Sequence, residues 1–529
     1  MGFINRKHKQ ATTPKAHPNF MGGPSYDVQD PLQTLRIAAA SCFFGEPMYY
    51  ARDLTDLRPG RRQPGRLSEV QLAHLNATLG ALDPQAWRGL TPAARMENAI
   101  DAALDADPAA TLKLAAELRT EWNIRVTPQV MLVRAANHAG VRGTGLIRAF
   151  APQIIRRPDE NATGLAYQLS AFGKPVPNSL KKAWKAALEQ VAPAALAKYR
   201  MDSRGVKTLD VVNLVHASSP AIDALMKGEL KLEGETWESL ISGQGSSREQ
   251  WEQAVNVMGH MALLRNLRNL LKKGVSPDLF TGRLVDGTKT GKQLPFRYYS
   301  AYRAVQEVDA PVRVLSAIEQ ALELSLGELP TFPGRVMSLC DNSGSAQGTA
   351  TSSMGKMQVS TIANLSAVLT GRRADEGHVG VFGDQLETFR VRGSVMENLQ
   401  KAERLAREIG MGTENGIWLF WDRAIRDREH WDHVFVYSDM QAGHGGLFGT
   451  DASQYPEYVW PGNGRYIDVP KLIDTYRREV NPQVLVYLVQ VAGYQDSIVP
   501  ETYRGTFILG GWGDGLLRYA HEMAQQFKA

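Results

Sequence analysis

Residues 335–345 read RVMSLCDNSGS. An apolar run from Val336 to Cys340 stops on Asp341 and gives way to Asn, Ser and Gly. A short apolar run closed by turn residues is the pattern of a buried strand. Asp341, Ser343 and Ser345 then stand at alternate positions just past the strand's carboxyl end, the edge where open α/β sheets take their ligands. A carboxylate with two hydroxyls offers the hard oxygen donors that Mg²⁺ accepts. The same residues also make an ordinary helix cap, and the pentapeptide alone does not separate the two readings.

Downstream, further short runs, VGVFG, DHVFVYS, PQVLVYLVQV and GTFILGG, alternate with helical stretches such as SVMENLQKAERLAREIG and DVPKLIDTYRREV. Strands alternating with helices predict a βα unit with a mostly parallel sheet. Two later residues suit the same sheet edge. Thr413 stands in GMGTENG, before the helix IWLFWDRAI, and Asp439 closes the strand VFVYS. The loop from Ala442 to Tyr466 is long and rich in Gly and aromatics, as functional loops often are. Its His444 and Asp451 read as surface residues rather than as a catalytic dyad.

Upstream of the proline- and glycine-marked stretch LGELPTFPG (326–334), the texture is different. From about 30 to 325 the chain is rich in Ala, Leu, Lys and Glu, with apolar residues three and four apart, as at Leu180, Trp184, Ala187, Leu188 and Val191. That spacing predicts amphipathic helices in succession, a HEAT-like array, although no strict period repeats. The expected division is a flexible basic arm over 1–28, a helical-repeat domain over 29–328 and an α/β domain over 329–529.

The chain has 529 residues, 60 Lys+Arg against 55 Asp+Glu and a net charge of +5. Such an excess permits a polyanionic partner without requiring one. Two cysteines, Cys42 and Cys340, cannot build a disulfide framework or a zinc site, which points to a reducing compartment. The amino-terminal stretch lacks a signal peptide's apolar core, and no apolar run approaches the roughly 20 residues of a membrane span. A cytoplasmic protein without a membrane partner is expected.

Basic residues gather between 174 and 216: Lys174, Lys181, Lys182, Lys185, Lys198, Arg200, Arg204 and Lys207, then His216, with Trp184 and Tyr199 interleaved. Lys and Arg neutralise phosphates, and aromatics and His stack on unpaired bases. Against this, His216 follows the apolar face of LDVVNLVHA, where a core histidine is also at home. In MALLRNLRNLLKKG (261–274), Leu263, Leu264, Leu267, Leu270 and Leu271 share one face, and Arg265, Arg268 and Lys272 another. A basic stripe of this kind is commonly a solvated face.

Two resemblances bear on these readings. Asp341, Ser343, Ser345, Thr413 and Asp439, in this order and strand context, resemble the metal-ion-dependent adhesion site of von Willebrand factor A domains. The blocks KPVPNSLKKAWKAALE, KYRMDSRGVKTLDVVNLVH, MALLRNLRNLLKKG and KQLPFRYYSAYRA resemble successive blocks of the Ro autoantigen family of TROVE-domain proteins, as in its bacterial members. The likeness runs from about residue 30 to the end. It implies an α + α/β fold, a ring of HEAT-like repeats followed by a Rossmann-like von Willebrand domain, and a monomeric ring. It implies binding of Y-like RNA on the outer surface and of single-stranded 3′ ends of misfolded or precursor RNA in the central hole. A 3′-to-5′ exoribonuclease such as polynucleotide phosphorylase is the implied partner. The implied metal is Mg²⁺, with Mn²⁺ as alternative.

Carried over by position, Lys198, Arg204 and His216 match the family's outer RNA contacts. The basic segment before His216 is one residue longer than the family pattern, so Arg200 or Lys207 can take the place of Lys198 or Arg204. Arg265 and Arg268 are candidates for the hole that the motif match itself does not assign. No nucleophile–base pair accompanies the metal residues, and one metal without a clustered second carboxylate site disfavours a hydrolase or nuclease. The expectation is a binding scaffold without catalysis. The alternative is a metal-dependent protein-interaction module for which RNA is secondary.

Overall fold

The structure is a computed structural model that describes residues 17–18, 24–40, 92–202, 204–230, 236–243, 246–291, 293–347, 358–410, 416–439, 456–461, 466–491, 496–497, 505–511 and 514–528. Cys42, His444 and Asp451 lie outside the described residues.

The first half is helical. Helices α1 (Pro31–Ala40), α2 (Pro92–Ala106), α3 (Pro108–Thr120), α4 (Thr127–Asn137), α5 (Leu146–Ile154) and α6 (Pro158–Ala171) are followed by α7 (Asn178–Glu189), α8 (Pro193–Lys198), α9 (Thr208–Val215) and α10 (Pro220–Met226). Then come α11 (Trp237–Gly243), α12 (Arg248–Val257), α13 (His260–Lys272), α14 (Thr281–Asp286), α15 (Thr288–Gly291), α16 (Pro295–Gln306) and α17 (Val312–Ser325). Proline opens many of them, since the first helical position needs no N–H. Asp107 caps α3 by accepting from the Ala110 N–H at 2.9 Å. The expected faces are the buried ones: Leu180, Trp184 and Leu188 on α7, and Leu263, Leu264, Leu267 and Leu270 on α13. Each fully buried large side chain stabilises the array by about 1.5–3 kcal/mol.

The second half carries a six-stranded sheet in the order β5-β4-β3-β6-β7-β9. Its strands are β3 (Phe332–Asp341), β4 (Ala374–Phe382), β5 (Leu386–Arg390), β6 (His433–Ser438), β7 (Leu485–Gln490) and β9 (Thr506–Gly510). All neighbours run parallel except the β4–β5 hairpin. Taken in chain order within this unit the strands stand 3-2-1-4-5-6, the doubly wound order, and the reversal falls between β3 and β6. Helices α18 (Gly344–Gln347), α19 (Val359–Arg372), α20 (Val395–Glu408), α21 (Gly416–Arg426), α22 (Val469–Glu479) and α23 (Asp514–Lys528) complete the unit. One face of the sheet packs on an aromatic layer that includes Trp418, Trp421, Trp431 and Tyr476. The tail of LGELPTFPG is already strand rather than linker. Phe332 is fully buried among Phe435, Tyr487, His433 and His521.

Both ends of the helical array are seated on the α/β unit, so the array closes into a ring. At one end α1 lies on β9. The Gln33 amide donates to the Ile508 carbonyl at 2.6 Å, and a Cβ on Gly510 would stand 2.4 Å from the Ile37 carbonyl. Arg36 pairs with Glu117 of α3 and lies over the Tyr519 ring of α23. At the other end Tyr299 of α16 donates to Glu403 of α20 at 2.9 Å, and Glu323 of α17 pairs with Arg372 of α19 at 2.8 Å. One apolar cluster runs through both halves, from Leu35 to Ala524.

The arm expected over 1–28 needs correction at its end. Pro24–Asp27 forms a strand, β2, that pairs antiparallel with β1 (His17–Pro18) and with β8 (Asp496–Ser497). The reason is local: Tyr26 is buried and Val28 packs against the aromatic-layer core, so this stretch has apolar side chains to bury. Among the described residues no helix is long and apolar enough to cross a membrane.

Two half-buried histidines make stability depend on pH. His260 of α13 faces the Tyr298 hydroxyl at 2.7 Å, and burial lowers its pKa. Burial also lowers His378, with Arg335 pushing the same way. An imidazole held below its unfolded value of about 6.5 gives stability that is complete above that pH and lost as the pH falls through the folded value. The melting temperature should therefore drop between pH 7 and pH 5, and less steeply in His260→Gln. Equal slopes in variant and wild type, by thermal denaturation across that range, would remove His260 from the account.

Candidate metal centre and nucleic-acid interface

The strand reversal places Asp341 and Asp439 side by side. Cys340 is in register with Tyr437, so Asp341 at the end of β3 meets Ser438 at the end of β6. Asp341 is fully buried. Its Oδ1 accepts the Ser343 N–H at 2.9 Å and its Oδ2 accepts the Ser438 hydroxyl at 2.7 Å. Asp439 and Ser343 are buried beside it, and Gln490 holds the Asp439 carbonyl at 2.7 Å. Burial raises the Asp341 carboxyl's pKa, against the lowering pull of Ser343, Ser438 and the Asp439 backbone.

A second set of contacts fixes the loop. Asn342 and Asn364 exchange amide hydrogen bonds at 2.7 and 3.0 Å, and Gln347 donates to the Asn342 and Ala406 carbonyls at 2.6 and 3.1 Å. The backbone of Ser345 lies in the same turn, at the start of α18. Thr413 falls outside the described residues. Among those described, no three His, Cys, Asp or Glu residues cluster as a metal group. The donor set is two buried carboxylates with serine hydroxyls, all hard oxygens, and that set fits Mg²⁺ or Mn²⁺. Ser438 and Asn364 were missed in the sequence. Ser438 could have been found, because it stands one residue before Asp439 at the same strand end.

On the helical half His216 is exposed. It caps α9 with φ 51° and ψ 49°, its N–H on the Val212 carbonyl, so it is not a core histidine. It borders a cavity of about 550 Å³ with Asn213, Asp223, Met226 and Lys227. The basic run upstream divides. Lys181 and Lys182 line a second, larger cavity, whereas Lys185 sits 3.8 Å from Glu189 and Arg200 3.1 Å from Asp202. Lys198, Arg204 and Lys207 are exposed. The Tyr199 ring lies under Arg157 at 4.2 Å and near Lys198 at 5.9 Å. Trp184 is fully buried against Gly164 and is unavailable to bases, contrary to the reading that interleaved it with the lysines. Its spacing with Leu180 and Leu188 places it on the buried face of α7.

The two arginines of the 261–274 stripe also part. Arg268 lies 3.3 Å from Glu307. Arg265 acts instead on Arg297 of α16, as does Arg125 from the connection between α3 and α4, and both repulsions add to the desolvation that lowers Arg297's pKa. Arg297 itself is exposed. Cations from segments more than a hundred residues apart in the chain thus act on one side chain.

Fold and site define a class: a helical ring closed by an α/β unit whose oxygen cluster lies at the sheet's strand reversal. The TROVE domain family model matches residues 218–352. The crystal structure of the Deinococcus radiodurans Ro (RSR) protein superposes with a TM-score of 0.58, covering 93% of this chain and 100% of that one at 15% identity. The fold is therefore the Ro fold, HEAT-like repeats in a ring followed by a Rossmann-like von Willebrand domain. Telomerase protein component 1 of Rattus norvegicus is 28% identical over 156 residues, 28% of this chain, and that of Mus musculus is 30% identical over 129 residues, 23% of this chain. These stretches span only 6% and 5% of those much longer relatives. The family match begins just past His216 and ends past Ser345.

Proposed function

We propose that this protein is an RNA-binding scaffold without chemistry of its own. It holds a small structured Y-like RNA on the ring exterior, around His216 with Lys198, Arg200, Arg204 and Lys207. It receives the single-stranded 3′ ends of misfolded or precursor RNA in the ring's hole and presents them to a 3′-to-5′ exoribonuclease. Ro and TROVE-domain proteins are RNA-binding proteins, which supports the coarse reading. What supports the finer one is the exposed His216 at the end of α9, with the exposed Lys198, Arg204 and Lys207 on the segment that leads into that helix; for the hole it is the influence of Arg125 and Arg265 on Arg297. In the von Willebrand unit Asp341, Ser343, Ser345, Thr413 and Asp439 would hold a divalent cation, Mg²⁺ or Mn²⁺. The bound cation would supply an open coordination position for a partner's oxygen. In the cell the reading places the protein in the cytoplasm.

The test is competition between an RNA with a single-stranded 3′ tail and the same RNA with a paired end. The tailed RNA should win, and Arg265→Glu with Arg297→Glu should erase its advantage, by about tenfold or more if two phosphate contacts are lost. Equal affinities in wild type would remove the hole from the mechanism. A protein partner captured through Asp341 with negligible RNA binding would favour the metal-dependent interaction module instead.

The exterior site has its own expectation. His216→Ser should weaken Y-like RNA several-fold at an unchanged melting temperature, because an exposed cap residue contributes little to packing. A clear fall in melting temperature with RNA affinity unmoved would show the histidine to be structural.

A further inference from the structure

A cavity of about 1630 Å³ opens where α4, α5, α6 and α7 meet. It exceeds the roughly 300–1,000 Å³ of small-molecule pockets and suits a polymer better than a metabolite. Arg142, Arg148, Arg156, Lys174, Lys181 and Lys182 line it, and no Asp or Glu does. Five of the six are exposed, and among the described residues none of the six has an ion pair. A seventh cation, Arg157, is already held by Asp159 at 2.6 Å. Between them the floor is apolar, with Ile147, Ala151 and Val176 buried and Ala183 half-buried.

Six uncompensated cations around one concavity repel each other and raise its potential for any chain of negative charge. The apolar floor adds a surface on which the flat faces of bases can lie. An acidic peptide would satisfy the rim and leave that floor unused. We propose that this groove is a second RNA-binding site, taking single-stranded RNA with phosphates on the rim and bases against the floor. It shares no lining residue with the His216 cavity. The inference rests on the reading of the protein as RNA-binding, and it adds Arg142, Arg148 and Arg156 to the residues that carry RNA.

The experiment uses the full chain, a short fluorescent oligouridylate containing 4-thiouridine, and a blunt hairpin RNA. Arg142→Glu, Arg148→Glu and Lys182→Glu are combined, with the three glutamines as a milder second variant. Oligouridylate affinity should fall at least about tenfold and its log–log salt slope by about 2, three contacts at roughly 0.7 each. Crosslinks to 142–156 and 174–182 should vanish while hairpin affinity holds. Unchanged affinity and slope, with crosslinks elsewhere, would overturn the groove and leave the RNA reading intact. Wild type that binds neither RNA would overturn both. Polyglutamate that displaces the oligouridylate from the groove at lower concentration than unlabelled oligouridylate would assign the groove to an acidic protein segment.

Discussion

Asp341→Ala is expected to abolish saturable Mg²⁺ and Mn²⁺ binding, measured by calorimetry, and to leave RNA affinity within about twofold because the sites lie in different halves. The carboxylate is the hub of the candidate centre. It is fully buried and holds Ser343 with one oxygen and Ser438 with the other. A buried carboxylate in this setting is stabilised in its charged form by a bound cation. Without metal the substitution takes one hydrogen-bond partner from the Ser438 hydroxyl, a cost of about 1–3 kcal/mol, but also removes a buried carboxylate. The metal-free melting temperature should therefore move little, while the rise that Mg²⁺ gives wild type disappears. Asp341→Asn separates charge from shape and should lose the metal too. Saturable binding in Asp341→Ala at wild-type affinity would sink the assignment of DNSGS.

Gly377→Ala should unfold or severely weaken the α/β half, by about 3 kcal/mol or more, the scale of forced overpacking. Gly377 is in β4, where the strand passes beneath the end of α19. A Cβ there would stand 1.9 Å from the Gly371 carbonyl oxygen, backbone against backbone, with no flexible side chain to yield. The strand cannot retreat, because it is in register with β3 on one side and its Gly377 carbonyl accepts the Val391 N–H at 2.9 Å. Gly205, with open space where its Cβ would be, makes the matching control. Urea denaturation of the two alanine variants should separate them widely. A Gly377→Ala protein as stable as wild type would mean that α19 shifts freely on the sheet.

What could be read from the sequence was whatever depends on neighbours in sequence. The strand ending at Asp341, the serine at Ser343, the strand ending at Asp439 and the buried stripe of α13 are all local patterns, and each stands where periodicity placed it. Trp184 was legible and misread, since its spacing with Leu180 and Leu188 is that of a core face. The junction of α1 with β9 was not legible, because Gly510 shows no local sign that a helix lies on it. The same holds for the groove arginines and for Arg297, whose partners come from separate helices. The Pro24–Asp27 strand was hidden because its partner is a two-residue segment near 496.

The seat of α1 on β9 also sets a timetable. Gln33 and Ile508 lie 475 residues apart, and at the usual ribosomal pace of 5–20 residues per second that separation is roughly 25 to 95 s of synthesis. Throughout that interval Ile37, whose side chain packs with the sheet's aromatic layer, has emerged before its partners exist. Domain-by-domain folding on the ribosome can complete the middle helices early, but not the loop's closure. The newborn chain is thus an open arc whose first helix waits with its apolar face uncovered.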